Sequence, residues 1–174
     1  MKRLASLLLI AIAPALGGCG LHPLYAGGSN GPVTRGLEQV DIGPIAGKDG
    51  WLVRTALLDR MGPRDAADKR YALQVDLDDQ ILGFGVRTDN TVTRERRTLR
   101  ARYKLVDSQG GGTVLLDATA SSDAGIDVVT SEYAVVAAEQ TALERISADI
   151  ADQIVARVAL YIVRTRSAAA PPAR

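Results

Sequence analysis

From Arg70 to Ala120 the chain is written in period two, and this restricts the fold more than any other feature of the sequence. Tyr71, Leu73, Val75, Leu77 and Ile81 alternate with Gln74, Asp76, Asp78 and Gln80, as expected of a strand over Arg70–Leu82 with one buried face. Gly83-Phe84-Gly85 and Asp89-Asn90 read as a connection to a second run. In that run Leu99, Ala101, Tyr103 and Leu105 point inward and Arg94, Arg96, Thr98, Arg100, Arg102 and Lys104 point outward. Gly110-Gly111-Gly112 turns the chain into a third strand, Thr113 to Ala120, with Val114, Leu116, Ala118 and Ala120 on one side and Asp117 and Thr119 on the other. Three strands with short connections imply an antiparallel meander.

On either side of the meander the period is helical. Leu143, Ile146, Ile150, Ile154, Val158 and Tyr161 trace one stripe of a long helix that starts at or near Ser131. Upstream, Asp49 is expected to cap a helix with apolar positions Val53, Leu57 and Met61, which Gly62-Pro63 ends. Trp51 falls in its first turn, where an indole is expected to pack at the core edge rather than bind a ligand. Before it, Leu37, Val40, Ile42 and Ile45, with Gly43-Pro44 near the end, read as a short strand over Leu37–Ile45. The order strand, helix, three strands, helix predicts an α+β fold. It is a two-layer sandwich in which two helices cover one face of a four-stranded mixed sheet (β-α-β-β-β-α) and the other face stays bare.

The N-terminus has a different logic. Lys2-Arg3 precede a ten-residue stretch, Leu4 to Ala13, that is apolar but for Ser6, and then Leu16-Gly17-Gly18-Cys19. A basic start, a short apolar core and small residues before a cut describe a secretory signal, and ten residues are too few to span a bilayer of about 30 Å. The only cysteine follows Leu-Gly-Gly, which resembles the lipobox of bacterial lipoproteins, so residues 1–18 read as signal peptide and Cys19 as the acylated first mature residue. A lone buried thiol is the plainer alternative, and a catalytic one lacks a base, because the only histidine, His22, lies in the same leader. One acyl chain holds a protein to membrane only marginally, at about 0.8 kcal/mol per buried methylene, so a stable anchor takes more than one. Gly20, where aspartate would mark inner-membrane retention, favours the outer membrane. Residues 19–36 read as a flexible tether, 37–164 as one α+β domain and 165–174 as a disordered tail.

Charge excludes some classes and leaves one candidate surface. The whole chain carries +1, and losing Lys2 and Arg3 with the leader leaves −1, so no global basic field calls for nucleic acid. There is no Ser/His/Asp set, no Cys/His metal spacing and no phosphate loop, and Asp78-Asp79 reads as a solvated pair rather than a metal or acid–base site. The candidate surface is the outward row Arg94, Arg96, Arg100, Arg102 and Lys104. Asp76 and Asp78 on the neighbouring strand face the same way, but two carboxylates do not neutralise five cations. The surplus fits phosphate groups or an acidic wall on a partner, and a plain ion-paired surface is the bland reading.

Cys19-Gly20-Leu21-His22-Pro23-Leu24-Tyr25 is similar to the Cys-Gly-Phe-x-Pro-Leu-Tyr start of lipopolysaccharide-assembly lipoproteins, the LptE family, with Leu21 in place of phenylalanine. Leu52-Val53-Arg54-Thr55-Ala56-Leu57-Leu58, the arginine-rich run from Asn90 to Asp107 and Ser131-Glu132-Tyr133-Ala134 also resemble that family. The resemblance implies an outer-membrane lipoprotein, anchored by palmitate or similar acyl chains, that plugs the β-barrel lipopolysaccharide translocon and assists its assembly. It implies no catalysis and no cofactor besides the covalent lipid on Cys19. The implied partners are the barrel, lipopolysaccharide itself and the membrane. A structural or binding lipoprotein with no transport role is the alternative, and a lipid-anchored hydrolase or enzyme accessory a more distant one.

Overall fold

Three long strands and one long helix carry the architecture of this computed structural model, which describes residues 28–62, 69–86 and 92–169. The elements are α1 (Pro32–Leu37), β1 (Val40–Ile42), α2 (Gly47–Met61), β2 (Tyr71–Val86), β3 (Val92–Asp107), β4 (Thr113–Asp127) and α3 (Glu132–Ala169). They form one mixed sheet in the order β1-β2-β3-β4, with β1 parallel to β2 and the remaining pairs antiparallel. This is the α+β sandwich expected from the periodicity, with a short additional helix at its start.

Odd-numbered side chains of β2 and β3 face the helices. Leu73, Leu99, Ala101, Tyr103 and Leu105 are buried there against Val53 and Leu57 of α2 and Leu143, Ile146, Ile150, Ile154 and Val158 of α3. Even-numbered side chains from Gln74 to Gln80 and from Arg94 to Lys104, apart from the half-buried Thr98, are exposed on the other, bare face. Burying an aliphatic side chain contributes about 1.5–3 kcal/mol, so the shared core rather than any single bond holds the layers together.

Several boundaries differ from expectation for local reasons. The strand expected over Leu37–Ile45 is only Val40–Ile42, because Leu37 closes α1, a helix that Pro32 opens at its first turn. Val33 and Leu37 of α1 are buried, so the stretch expected as the end of the tether joins the core. Helix α2 starts at Gly47 after Ala46, with Asp49 inside the first turn rather than capping it, and stops at Gly62 with φ 98°. Trp51 is not at the core edge: it is 64% exposed, because Gly50, Val53 and Leu57 take the buried side of the helix. Gly83-Phe84-Gly85 continues β2 instead of interrupting it, with Gly83 opposite Glu95 and Phe84 opposite Arg94. Strand β4 runs on to Asp127, so Ala124 and Ile126 add to the core. Val114 lies outside, because a register shift after Leu105 sets Val106 against Val114 and Leu105 against Leu116, leaving Leu115 as an extra residue that turns the alternation over. Ser131 starts α3 as expected, its hydroxyl accepting from the Ala134 N–H at 3.5 Å and its carbonyl from the Val135 N–H at 3.1 Å. The helix persists to Ala169 through residues expected in the tail, where alanine favours helix.

Candidate functional site

The bare face of the sheet holds the basic row, and β3 places it at the centre. Side chains two residues apart on a strand share a face and lie about 7 Å apart, so Arg94, Arg96, Arg100, Arg102 and Lys104 line up as expected. Registration then brings acids to both sides. Asp76 lies opposite Arg102 and Asp78 opposite Arg100 on β2, while Asp117 lies opposite Lys104 and Asp127 opposite Arg94 on β4. The ion pairs form to β4: Arg94–Asp127 at 2.9 Å, Lys104–Asp117 at 3.6 Å and Arg96–Asp123 at 3.8 Å. The count of two carboxylates against five cations is therefore corrected, because β4 contributes Asp117, Asp123 and Asp127 and five carboxylates stand beside the five cations. The alternation of Thr113 to Ala120 puts Asp117 on the outer side, whereas Asp123 and Asp127 lie beyond the run that alternates cleanly and reach the face only because β4 continues to Asp127.

The five cations are not equivalent. Arg96 also lies over the Phe84 ring, 5.5 Å from its centroid, in a shallow depression of about 330 Å³ that Arg94, Asp123 and Asp127 help to line. Arg100 and Arg102 have no ion-pair contact among the described residues and point to solvent beside Asp78 and Asp76. These two guanidiniums are the part of the row able to take an anion without breaking an existing pair. Cys19, the proposed lipid attachment point, lies outside the described residues.

A second surface was missed. Val136 sits seven residues before Leu143, two turns back along the same apolar stripe of α3, and is nevertheless 62% exposed. The helix overhangs the covered face here. Arg97 rather than an aliphatic residue lies beneath it and donates from Nη1 to the Glu139 carbonyl at 3.1 Å. Lys48, Arg97, Tyr133, Val136, Glu139 and Leu143 help to line an open groove of about 380 Å³, with Tyr133 86% exposed. The signal in the sequence was the stripe itself, which extends past Leu143 without a partner strand to receive it.

The segments singled out by resemblance also have structural tasks. Arg54 holds the end of β1, donating from Nε to the Gly43 carbonyl at 3.1 Å and from Nη2 to the Ile42 carbonyl at 3.1 Å. Lys69 Nζ donates to the Glu38 carbonyl at 2.8 Å. No group of three or more His, Cys, Asp or Glu side chains is placed to hold a metal among the described residues. No helix among them is long and apolar enough to cross a membrane.

The model of the LptE family, described as lipopolysaccharide-assembly, matches residues 37–158. The chain belongs to the LptE family. The matched span takes in β1 through most of α3, including the Leu52–Leu58, Asn90–Asp107 and Ser131–Ala134 segments, and excludes the leader. Solved lipoproteins share the fold. One from Caulobacter crescentus CB15 superposes with a TM-score of 0.63 at 21% identity, covering 76% of this chain and 98% of that one. The rare lipoprotein B of Shewanella oneidensis gives 0.53 at 14% identity, covering 73% and 98%, and a minor lipoprotein of Acinetobacter baumannii gives 0.52 at 14%, covering 71% and 92%. No curated protein matches the sequence.

Proposed function

We propose that this LptE-family protein is an outer-membrane lipoprotein, acylated on Cys19, that partners the β-barrel lipopolysaccharide translocon, plugs it and assists both its assembly and the delivery of lipopolysaccharide to the cell surface. The observation that carries the reading is the family match over residues 37–158 downstream of a lipobox-like Leu16-Gly17-Gly18-Cys19. On this reading the protein is not an enzyme and needs no cofactor. Its task is to occupy space and offer contacts, which a rigid sheet with one bare, polar face suits. Arg100 and Arg102 are the residues of the row proposed to meet the barrel wall or lipopolysaccharide phosphate, whereas Arg94, Arg96 and Lys104 are held by β4 aspartates.

The deciding experiment is affinity capture of the full chain from detergent-solubilised outer membranes, with mass spectrometry of the protein and of what it brings down. The expected result is a triply or doubly acylated Cys19 and a large outer-membrane barrel in near-equal amount, with Cys19→Ala leaving the membrane fraction. A wild-type protein with an unmodified Cys19, or one that captures no barrel, contradicts the proposal.

A further inference from the structure

The two long edges of the sheet are treated differently by the rest of the molecule. On β4 the edge is answered by α3 midway along, at Ser121: Gln153 Nε2 donates to the Ser121 carbonyl at 3.1 Å and Gln153 Oε1 accepts from the Ser121 N–H at 3.4 Å, as a neighbouring strand would. One residue on, Ser122 Oγ donates to Asp149 Oδ2 at 3.1 Å. On β2 the edge is paired only at its start. Strand β1 covers Tyr71–Leu73, the last bond being Gly43 N–H to the Leu73 carbonyl at 3.4 Å. Strand β2 runs on to Val86.

The direction of the uncovered groups follows from the covered ones. Tyr71 donates its N–H to the Gln39 carbonyl and Leu73 accepts from Gly43, both on the β1 side, while the Arg70 carbonyl accepts from Ser108 beyond β3. Alternation along the strand then turns the N–H and C=O of Val75, Leu77, Asp79 and Ile81 to the β1 side, where no backbone partner meets them among the described residues. An unpaired run of this length is a template for another strand.

Side chains select which strand fits. Asp76 and Asp78 are exposed on the bare face beside this edge; on the covered face Val75 and Leu77 are half-buried, Asp79 is taken up by its ion pair with Arg97, and Ile81 beyond it is 42% exposed. Two copies pairing edge to edge in antiparallel register would set these carboxylates against each other, which disfavours a homodimer. A strand with cations on its outward positions and aliphatic residues on its inward ones meets complementary neighbours on both faces.

We propose that the Val75–Ile81 edge of β2 receives an extended segment of a partner protein, with Lys or Arg alternating with aliphatic residues, as a fifth strand. This depends on the backbone geometry and charges of β2 and not on the translocon reading.

The test uses the full lipidated chain in nonionic detergent, read by hydrogen exchange, with the peptide acetyl-Lys-Val-Lys-Val-Lys-Val-Lys-amide as probe. At a peptide concentration about ten times its Kd, amides in Val75–Ile81 should exchange about tenfold more slowly. The same peptide with glutamate for lysine, and one with alternate valines N-methylated, should give no protection. Ile81→Pro removes an edge N–H while leaving the β3 ladder, so it should abolish protection; Asp76→Asn with Asp78→Asn, which leaves the edge backbone intact, should weaken it several-fold. The proposal is overturned if the lysine peptide gives no protection, if the glutamate or N-methylated peptide protects equally, if protection falls on β4 instead, or if the Asn variant binds as wild type does.

Discussion

Arg97 and Asp79 meet on the covered side of the sheet, where neighbouring positions are aliphatic, with Arg97 Nε 3.0 Å from Asp79 Oδ1 and the same guanidinium reaching the Glu139 carbonyl of α3. The pair is mostly withdrawn from water, with side chains 14% and 21% exposed. Its hydrogen bonds raise the Arg97 pKa further above the ordinary range against the opposing effect of burial. Removing one member strands the other, so Arg97→Ala or Asp79→Ala should each destabilise the domain by about 2 kcal/mol or more. Replacing both by leucine should recover much of the loss in chemical denaturation. A double variant no more stable than either single one would deny the pair this role.

The α3 stripe is core along most of its length. Ile150 and Ile154 are fully buried, so Ile150→Asp or Ile154→Asp places a carboxylate where nothing can hydrate it, at an expected cost above about 4 kcal/mol. Val136→Asp, on the same stripe but over the open groove, should leave the thermal melt within a degree or two of wild type, since surface changes stay within about 0.5 kcal/mol. Equal melts for Ile150→Asp and Val136→Asp would refute the assignment.

Arg60 of α2 and Asp152 of α3 pin the two helices to each other, Nη2 lying 3.2 Å from Oδ2. The hydrogen bond from Arg60 lowers the Asp152 pKa, outweighing the small penalty of burial. A depressed carboxylate contributes stability above its unfolded pKa and loses that contribution as pH falls through the folded value. Asp152→Asn should therefore flatten the acid limb of the stability–pH curve. With Asp152 65% exposed, the difference at neutral pH should be at most about 1 kcal/mol and shrink in high salt. An unchanged acid limb would show that the bond is absent in solution.

Arg100→Gln with Arg102→Gln should fold normally, because neither side chain is in an ion pair among the described residues and no carboxylate is set opposite Asp78 or Asp76, yet weaken capture of the barrel or binding of purified lipopolysaccharide at low salt. Arg94→Glu with Lys104→Glu breaks two β4 pairs and should lower stability by about 1 kcal/mol instead. If the first double variant captures and binds as wild type does across low and moderate salt, the row is only a solvated surface.

The sheet and the long helix were legible because their periods are long and clean: Leu99 to Leu105 and Leu143 to Tyr161 each admit one reading. What escaped depended on partners distant in sequence. Whether Gly83-Phe84-Gly85 is strand or turn is settled by Glu95 and Arg94 across the ladder, and glycine by itself argues for the turn. Arg97 interrupts the inward series by one residue, and no local rule says that Asp79 and Glu139 will receive it. The charge balance of the outer face failed for the same reason, since Asp123 and Asp127 join it only because β4 is longer than its alternation suggested.

Strand β1 has a mechanical consequence. It is three residues long, parallel to β2, and it is the stretch of sheet through which tension on the chain ahead of Pro32 would pass. A pull on that end is taken first by Val33 and Leu37 in the core and then by the β1–β2 seam, with Arg54 and Lys69 gripping carbonyls along it. The β2–β3–β4 meander lies beyond that seam and is not in the line of load until it opens. A force trace from that end should therefore show a small early step before the main rupture. The short strand acts as a fuse: a tug on the N-terminal side can peel the first segment away while the rest of the sheet keeps its shape.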